Sequence, residues 1–181
     1  MTTPSRWGQR LEHLSQNEQD TLLGTSLSRR FTALPLWLSH PGNIGAFYGI
    51  LISLALLMPY RFAGEDTSAW LANWLFHTSL LIVGCLMLGF ASLLLVRWSK
   101  RFPMTPPRIA LYPMPFVGLA LLTLSRTDML NAPLSLVWLL LLLPGPLYVH
   151  LSWAPRWRLL CMLEDGKDPY AGIESKGPEP N

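Results

Sequence analysis

The run "HTSLLIVGCLMLGFASLLLV", from His77 to Val96, is the clearest structural signal in this chain, and it contains no Asp, Glu, Lys or Arg. A helix rises about 1.5 Å per residue, so a helix of this length spans about 30 Å, the thickness of the hydrocarbon core of a bilayer. The run therefore predicts a transmembrane helix.

Three other apolar segments accompany this run. Half of the chain is apolar and only 14% is charged, whereas soluble domains are about 25% charged. The predicted spans are residues 43–60, 70–96, 109–124 and 134–153. The sequence thus predicts an all-α integral membrane protein, a four-transmembrane-helix bundle within residues 43–153, with a short amphipathic segment before it.

The basic residues are distributed unevenly around these spans. If all four cross, one side of the membrane holds twelve basic residues and the other holds Arg61 and Arg126. The twelve are Arg6, Arg10, Arg29, Arg30, Arg97, Lys100, Arg101, Arg108, Arg156, Arg158, Lys167 and Lys176. Cytoplasmic loops carry an excess of Lys and Arg, so both termini are expected to be cytoplasmic, in a bacterial inner membrane. Trp37, Trp98, Trp153 and Trp157 are expected at the inner interface, in an aromatic belt.

Residues 1–42 are predicted to be a cytoplasmic region that ends in an interfacial segment. Residues 28–42 hold too few apolar side chains to cross, and prolines interrupt them, so they should lie on the inner surface. Upstream, Ser15 and Glu18 have capping-box spacing and Gly24 is a typical helix end, which predicts a short helix.

The first span and the tail also have predicted boundaries. Asn43 is the expected N-cap of the first span. Residues 154–181 are polar and rich in turn residues, so they are expected to form a cytoplasmic tail, largely disordered from about Glu164.

Pro144, Gly145 and Pro146 interrupt the fourth span, and two interpretations are open. Transporters use broken helices to expose backbone groups to a substrate near the membrane midplane. Alternatively the three residues only bend the helix. In that case nearby hydroxyls should satisfy the freed carbonyls, those of Thr78, Ser79 or Thr123.

His77 and His150 are the polar membrane residues that could carry chemistry. A proton relay or a haem site needs a second group at the same depth, but the two histidines should be separated by most of a leaflet. We therefore expect each to form hydrogen bonds between helices or at an interface, and we expect no cofactor and no metal.

Two surfaces could contact lipid or a partner. Gly45 and Gly49 lie one turn apart, as do Cys85 and Gly89, and such small-residue faces allow close helix contact inside the bundle or with another subunit. The basic loop contains Arg97, Lys100, Arg101 and Arg108. It could bind anionic lipid or an acidic protein surface, or it could serve only to set the topology.

Enzyme motifs are absent from the sequence: there is no nucleophile elbow, phosphate loop or metal-binding spacing. We expect a non-catalytic membrane protein that acts as an accessory, assembly or immunity-like protective subunit of an inner-membrane complex. The alternative is a small oligomeric transporter or pore that uses the helix break. The expected partners are membrane lipid and a membrane protein or further copies of the chain, and not nucleic acid.

Overall fold

The computed structural model describes residues 6–64 and 66–170, and these form helices joined by turns, with no strand in that part of the chain. The helices are α1 (Arg6–Leu11), α2 (Gln16–Leu23), α3 (Ser26–Thr32), α4 (Pro41–Ala63), α5 (Thr67–Ser99), α6 (Arg108–Leu111), α7 (Pro113–Arg126), α8 (Leu134–Leu142), α9 (Pro144–Tyr148) and α10 (Ala154–Glu164). A π-helical turn, Val149–Trp153, connects α9 to α10. The predicted disorder beyond residue 170 lies outside the described residues.

Four helical units are long and apolar enough to cross a membrane. They are α4, α5, α6 with α7 (Arg108–Arg126), and α8 through α10 (Leu134–Glu164), and we call them the first to fourth long helices. Each extends beyond its predicted span, because polar residues continue the helix past the apolar run. The difference is largest in the fourth, where the span was predicted to end at Trp153 but the helix continues to Glu164. Residues 154–164, which were predicted to begin the tail, are therefore helical.

The first long helix begins before the predicted cap. Its N-cap is His40, whose Nδ1 accepts a hydrogen bond from the Gly42 N–H at 3.1 Å, and Pro41 occupies the first turn, where no N–H is needed. The prediction of Asn43 as N-cap was wrong. The Asn43 amide instead donates to the Trp37 carbonyl at 2.9 Å, which ties the preceding turn to the helix.

The His40 cap should make stability depend on pH. Burial, and then the positive charge of Arg97, lower the pKa of His40 below its usual 6.5, which keeps the imidazole neutral and able to accept. As the pH falls, His40 is therefore protonated in the unfolded chain before it is protonated in the folded chain. Stability is lost as the pH falls from about 6.5 through the folded pKa. The slope is at most about 1.4 kcal/mol per pH unit.

Asparagine also caps helices well and does not titrate. In His40→Asn we expect the part of this slope due to His40 to disappear, measured as unfolding free energy in detergent at pH 5 to 7.5. The other histidines remain in both proteins, so the difference between them reports His40. Equal slopes would contradict the role assigned to His40.

The N-terminal helices pack against the C-terminal one. The predicted α2 is confirmed: the Glu18 carboxylate accepts from the Ser15 N–H at 2.8 Å, and the helix ends at Gly24, whose φ is +60°. Leu22 of α2 is fully buried against α10, and the Trp7 N–H donates to the Glu164 carboxylate at 2.8 Å. Residues that are far apart in the sequence thus form a small module at one end of the long helices.

This module brings the predicted cytoplasmic segments together. The Arg158 guanidinium donates to the Lys100 carbonyl at 3.2 Å, and the Met104 N–H donates to the Leu151 carbonyl at 2.9 Å. The N-terminal helices, the loop of residues 100–107 and α10 therefore share one end of the molecule, which we call the basic end. Gly64, Asp66 and the loop of residues 127–133 lie at the opposite end.

Two tryptophans expected in the inner aromatic belt are buried instead. Trp153 is 0% exposed and donates its indole N–H to the Ser39 carbonyl at 2.6 Å. Trp157 is 8% exposed and donates to the Leu36 carbonyl at 2.9 Å. Both rings hold the segment that precedes α4, so that segment packs on the fourth long helix.

Candidate functional site

The small-residue faces form the contact between the first and second long helices. A methyl group at Gly45 would collide with the Cys85 carbonyl, one at Gly49 would lie 2.9 Å from the Ile82 Cα, and one at Gly89 would lie 2.5 Å from the Pro41 carbonyl oxygen. These neighbours are backbone atoms, which cannot rotate away. The glycine face is occupied within the molecule, so this face is not free for a partner.

The helix break is filled by an aromatic side chain of the first long helix. Pro144, Gly145 and Pro146 are buried, and the Tyr48 ring lies so close to Gly145 that an added methyl would collide with it. The Tyr48 hydroxyl donates to the Leu141 carbonyl at 2.7 Å. A phenol thus supplies both the packing and the hydrogen bond inside the disrupted turn.

The hydroxyls predicted to serve the break are elsewhere. Thr123 donates to the Leu119 carbonyl and Ser79 to the Leu75 carbonyl, each at 2.8 Å and within its own helix. The Thr78 hydroxyl is buried and has no partner among the described residues. Sequence reasoning missed Tyr48, although one signal was available: a phenol inside an apolar helix usually bonds to a polar partner.

An apolar groove lies beside the break. It has a volume of about 440 Å³ and runs between α4, α6 with α7, and α9, with α3 at the basic end. The residues that define its walls are Phe31, Ile44, Tyr48, Leu51, Ala55, Leu111, Phe116, Leu119, Gly145 and Tyr148, and Thr25 and Arg108 are polar residues in the lining. None of the described residues that line it carries a carboxylate.

Residues of the basic loop have different surroundings. The Arg97 guanidinium lies over the Trp157 ring, 5.9 Å from its centroid. Lys100 ends α5 in the left-handed conformation, with φ of +50°, and Arg101 donates to the Met104 sulfur. Arg108, by contrast, borders the groove and forms no ion pair or side-chain hydrogen bond in residues 6–64 and 66–170. Of these four residues, Arg108 is the one that lines the groove.

His77 belongs to a hydrogen-bonded cluster at the opposite end. Its Nδ1 lies 2.7 Å from the Tyr60 hydroxyl and 2.8 Å from the Asn73 carbonyl, and its ring stacks on Trp138 at 5.2 Å. Arg126 donates to the same Tyr60 hydroxyl at 3.3 Å and covers its ring. These contacts join all four long helices.

A polar pocket of about 260 Å³ adjoins this cluster and contains Asp66 and Arg126 in its lining. Hydrogen bonds from the Ala69 N–H and the Ser68 hydroxyl lower the pKa of the Asp66 carboxyl. Asp66 thereby caps α5 as an anion. The cap accounts for the presence of this carboxylate in the pocket lining.

His150 lies in the π-helical turn near the basic end and is half-buried. His77 packs with residues of the opposite end, so the structure does not bring the two histidines together. Across residues 6–64 and 66–170, no group of three or more His, Cys, Asp or Glu side chains is placed to hold a metal ion.

Arg156 is a buried cation that the sequence did not distinguish from its exposed neighbours. It is 5% exposed, and it donates to the Ser152 carbonyl at 2.9 Å and to the Thr21 carbonyl at 3.1 Å. Carbonyl groups of two segments that are distant in the sequence thus accept hydrogen bonds from its guanidinium. Arg156 fastens α2 to the fourth long helix.

The candidate site therefore consists of a helix break filled by Tyr48, an apolar groove next to it, and Arg108 at the rim of the groove, which has no ion-pair partner among the described residues. No family model matches the chain, and no curated protein and no solved structure is significantly similar to it.

Proposed function

We propose that the chain is an integral, multi-pass membrane protein of a bacterial inner membrane, with both termini cytoplasmic, and that it is a non-catalytic accessory, assembly or protective subunit. The observation that carries this proposal is the filled break in the fourth long helix. Tyr48 occupies the position that a substrate would need, and its hydroxyl uses the Leu141 carbonyl.

Placement in a membrane is supported by the outer surface of the long helices. Large apolar side chains are exposed there, among them Leu54 at 59%, Leu94 at 67% and Phe116 at 73%. In water such contiguous apolar surface drives association, whereas lipid solvates it. The same surface offers a membrane partner a place to pack, because the glycine face is already used inside the molecule.

Orientation is supported by the grouping of the basic segments. The segments that carry twelve of the fourteen Lys and Arg residues include the N-terminal helices, the loop of residues 100–107 and α10, which meet at the basic end. An excess of Lys and Arg marks the cytoplasmic side, so we place the basic end there.

The alternative, a small oligomeric transporter or pore, is favoured by the break and by the groove that reaches it. Transport sites in broken helices commonly pair the break with charged or polar ligands near the midplane. In the first three long helices the Asp, Glu, Lys and Arg residues lie near the helix ends, and in the fourth the first such residue after the break is Arg156, ten residues beyond Pro146. This distribution favours the subunit role.

Topology is tested by reporter fusions and carbonate extraction. Reporters after Arg108 and after Asn181 should report the cytoplasm, and reporters inserted within residues 64–68 or 125–132 should report the outside. The chain should stay in the membrane fraction after extraction at pH 11. An outside signal at Asn181, or release of the chain by carbonate, would contradict the arrangement with four membrane spans.

The subunit role is tested by purification from native membranes in a mild detergent. We expect a stoichiometric membrane-protein partner in the eluate, identified by mass spectrometry, and no ion or solute flux when the chain alone is reconstituted in vesicles. A homo-oligomer that conducts in vesicles, and stops conducting when Tyr48 is changed to Trp, would establish the alternative.

A further inference from the structure

We propose that the groove beside the helix break binds one acyl chain of an anionic phospholipid, with the lipid phosphate held by Arg108. This inference rests on the proposed placement in a membrane. It goes further in naming a lipid class as a specific ligand and in giving the groove and Arg108 a function.

The dimensions of the groove match one leaflet. Its wall on α4 extends from Ile44 to Ala55, and its wall on the third long helix extends from Arg108 to Leu119. At about 1.5 Å per residue each wall is about 17 Å long. Half of the hydrocarbon core of a bilayer is about 15 Å thick. An acyl chain that enters at the basic end therefore has apolar contacts along its whole path.

Charge determines which lipid headgroup fits. Arg108 lies at the beginning of the third long helix, at the basic end, where the headgroups of the cytoplasmic leaflet would be. Its guanidinium has no ion-pair partner among the described residues, and a guanidinium binds phosphate oxygens well. Basic pockets between membrane helices on the cytoplasmic side bind anionic headgroups. A zwitterionic lipid would bring an ammonium group to a rim without a carboxylate, so it should bind more weakly.

The packing of the break also shapes the groove. Tyr48 and Gly145 both line it, so the ring that fills the break also forms the inner wall of the groove. A bound acyl chain would lie on this wall and cover apolar residues that are otherwise open, such as Phe116, which is 73% exposed.

The test is native mass spectrometry of the full chain in a mild detergent. It is titrated with phosphatidylglycerol and, separately, with phosphatidylcholine of identical acyl chains. We expect a one-lipid adduct that prefers phosphatidylglycerol. Arg108→Gln should weaken phosphatidylglycerol binding about fivefold and remove the preference, since one basic residue near the headgroup contributes about a factor of this size. Arg108→Lys should restore most of it.

Matched controls separate the groove from the general surface. Arg101→Gln removes a charge from the same loop outside the groove and should leave the adduct unchanged. Ala55→Phe should fill the deep end and weaken both lipids, whereas Leu54→Phe changes a neighbouring residue that does not line the groove. Equal binding of the two lipids by the unmodified chain, or equal effects of Arg108→Gln and Arg101→Gln, would overturn the proposal. A chain that resists carbonate extraction but shows no lipid preference refutes this inference alone.

Discussion

Replacing Gly45 by alanine is expected to separate the first and second long helices and to cause one of the largest losses of stability among alanine replacements of the glycines in residues 6–64 and 66–170. The added methyl would collide with the Cys85 carbonyl, which belongs to the backbone of a helix and cannot move by rotating a side chain. Overpacking in a core typically costs about 1–3 kcal/mol, and a clash with backbone should reach or exceed the upper value.

Gly84→Ala is the matched control, because it adds the same methyl on α5 where no atom lies within 4 Å. The unfolding free energy of both variants can be measured by SDS titration in mixed micelles. We expect Gly84→Ala to be within about 0.5 kcal/mol of the unmodified chain. If Gly45→Ala unfolds like Gly84→Ala, the close approach of α4 and α5 at that position is wrong.

Replacing Gly145 by alanine is also expected to cause a large loss of stability. Alanine is normally favoured over glycine in a helix by about 1 kcal/mol, so propensity alone predicts stabilisation. Here the new methyl would collide with the Tyr48 ring, and the ring is held by its hydrogen bond to the Leu141 carbonyl. We therefore expect a net destabilisation of about 1–3 kcal/mol.

The cause can be isolated with a double-mutant cycle. Tyr48→Ala removes the ring, so Gly145→Ala should cost much less in that background, with a coupling energy of about 0.5–3 kcal/mol. Pro144→Ala with Pro146→Ala restores two backbone N–H groups without touching Gly145, and that variant should be at least as stable as the unmodified chain. Additive losses from Tyr48→Ala and Gly145→Ala would show that the two residues are not in contact.

The packing of Tyr48 against Gly145 distinguishes the two interpretations of the break in the fourth long helix, a simple kink and a substrate site. A kink needs only that neighbouring groups satisfy the backbone, and Tyr48 and Leu141 provide one such contact. A substrate site would need the same volume to be open. The proposed lipid groove is compatible with a filled break. The Tyr48 ring closes the break and at the same time forms the wall against which the acyl chain would lie.

The number and type of the long helices could be predicted from sequence because those properties are local. An apolar run such as 77–96 can satisfy its backbone groups in lipid only as a helix, and this holds whatever surrounds it. The capping box of Ser15 and Glu18 is equally local, and it was predicted correctly. The grouping of the basic segments at one end also followed from sequence, because it requires only that successive long helices run in opposite directions.

Which side chains meet across the helices was decided only by the tertiary structure. The long helices are apolar on nearly all sides, so their sequences do not show how each is rotated about its axis. Tyr48 bonds to Leu141 and Trp153 to Ser39, pairs that lie far apart in the chain. The burial of Trp153, the filled break and the groove at Arg108 depend on those rotations. The close approach of Gly45 and Gly49 to the backbone of α5 is likewise a feature that only the folded chain shows.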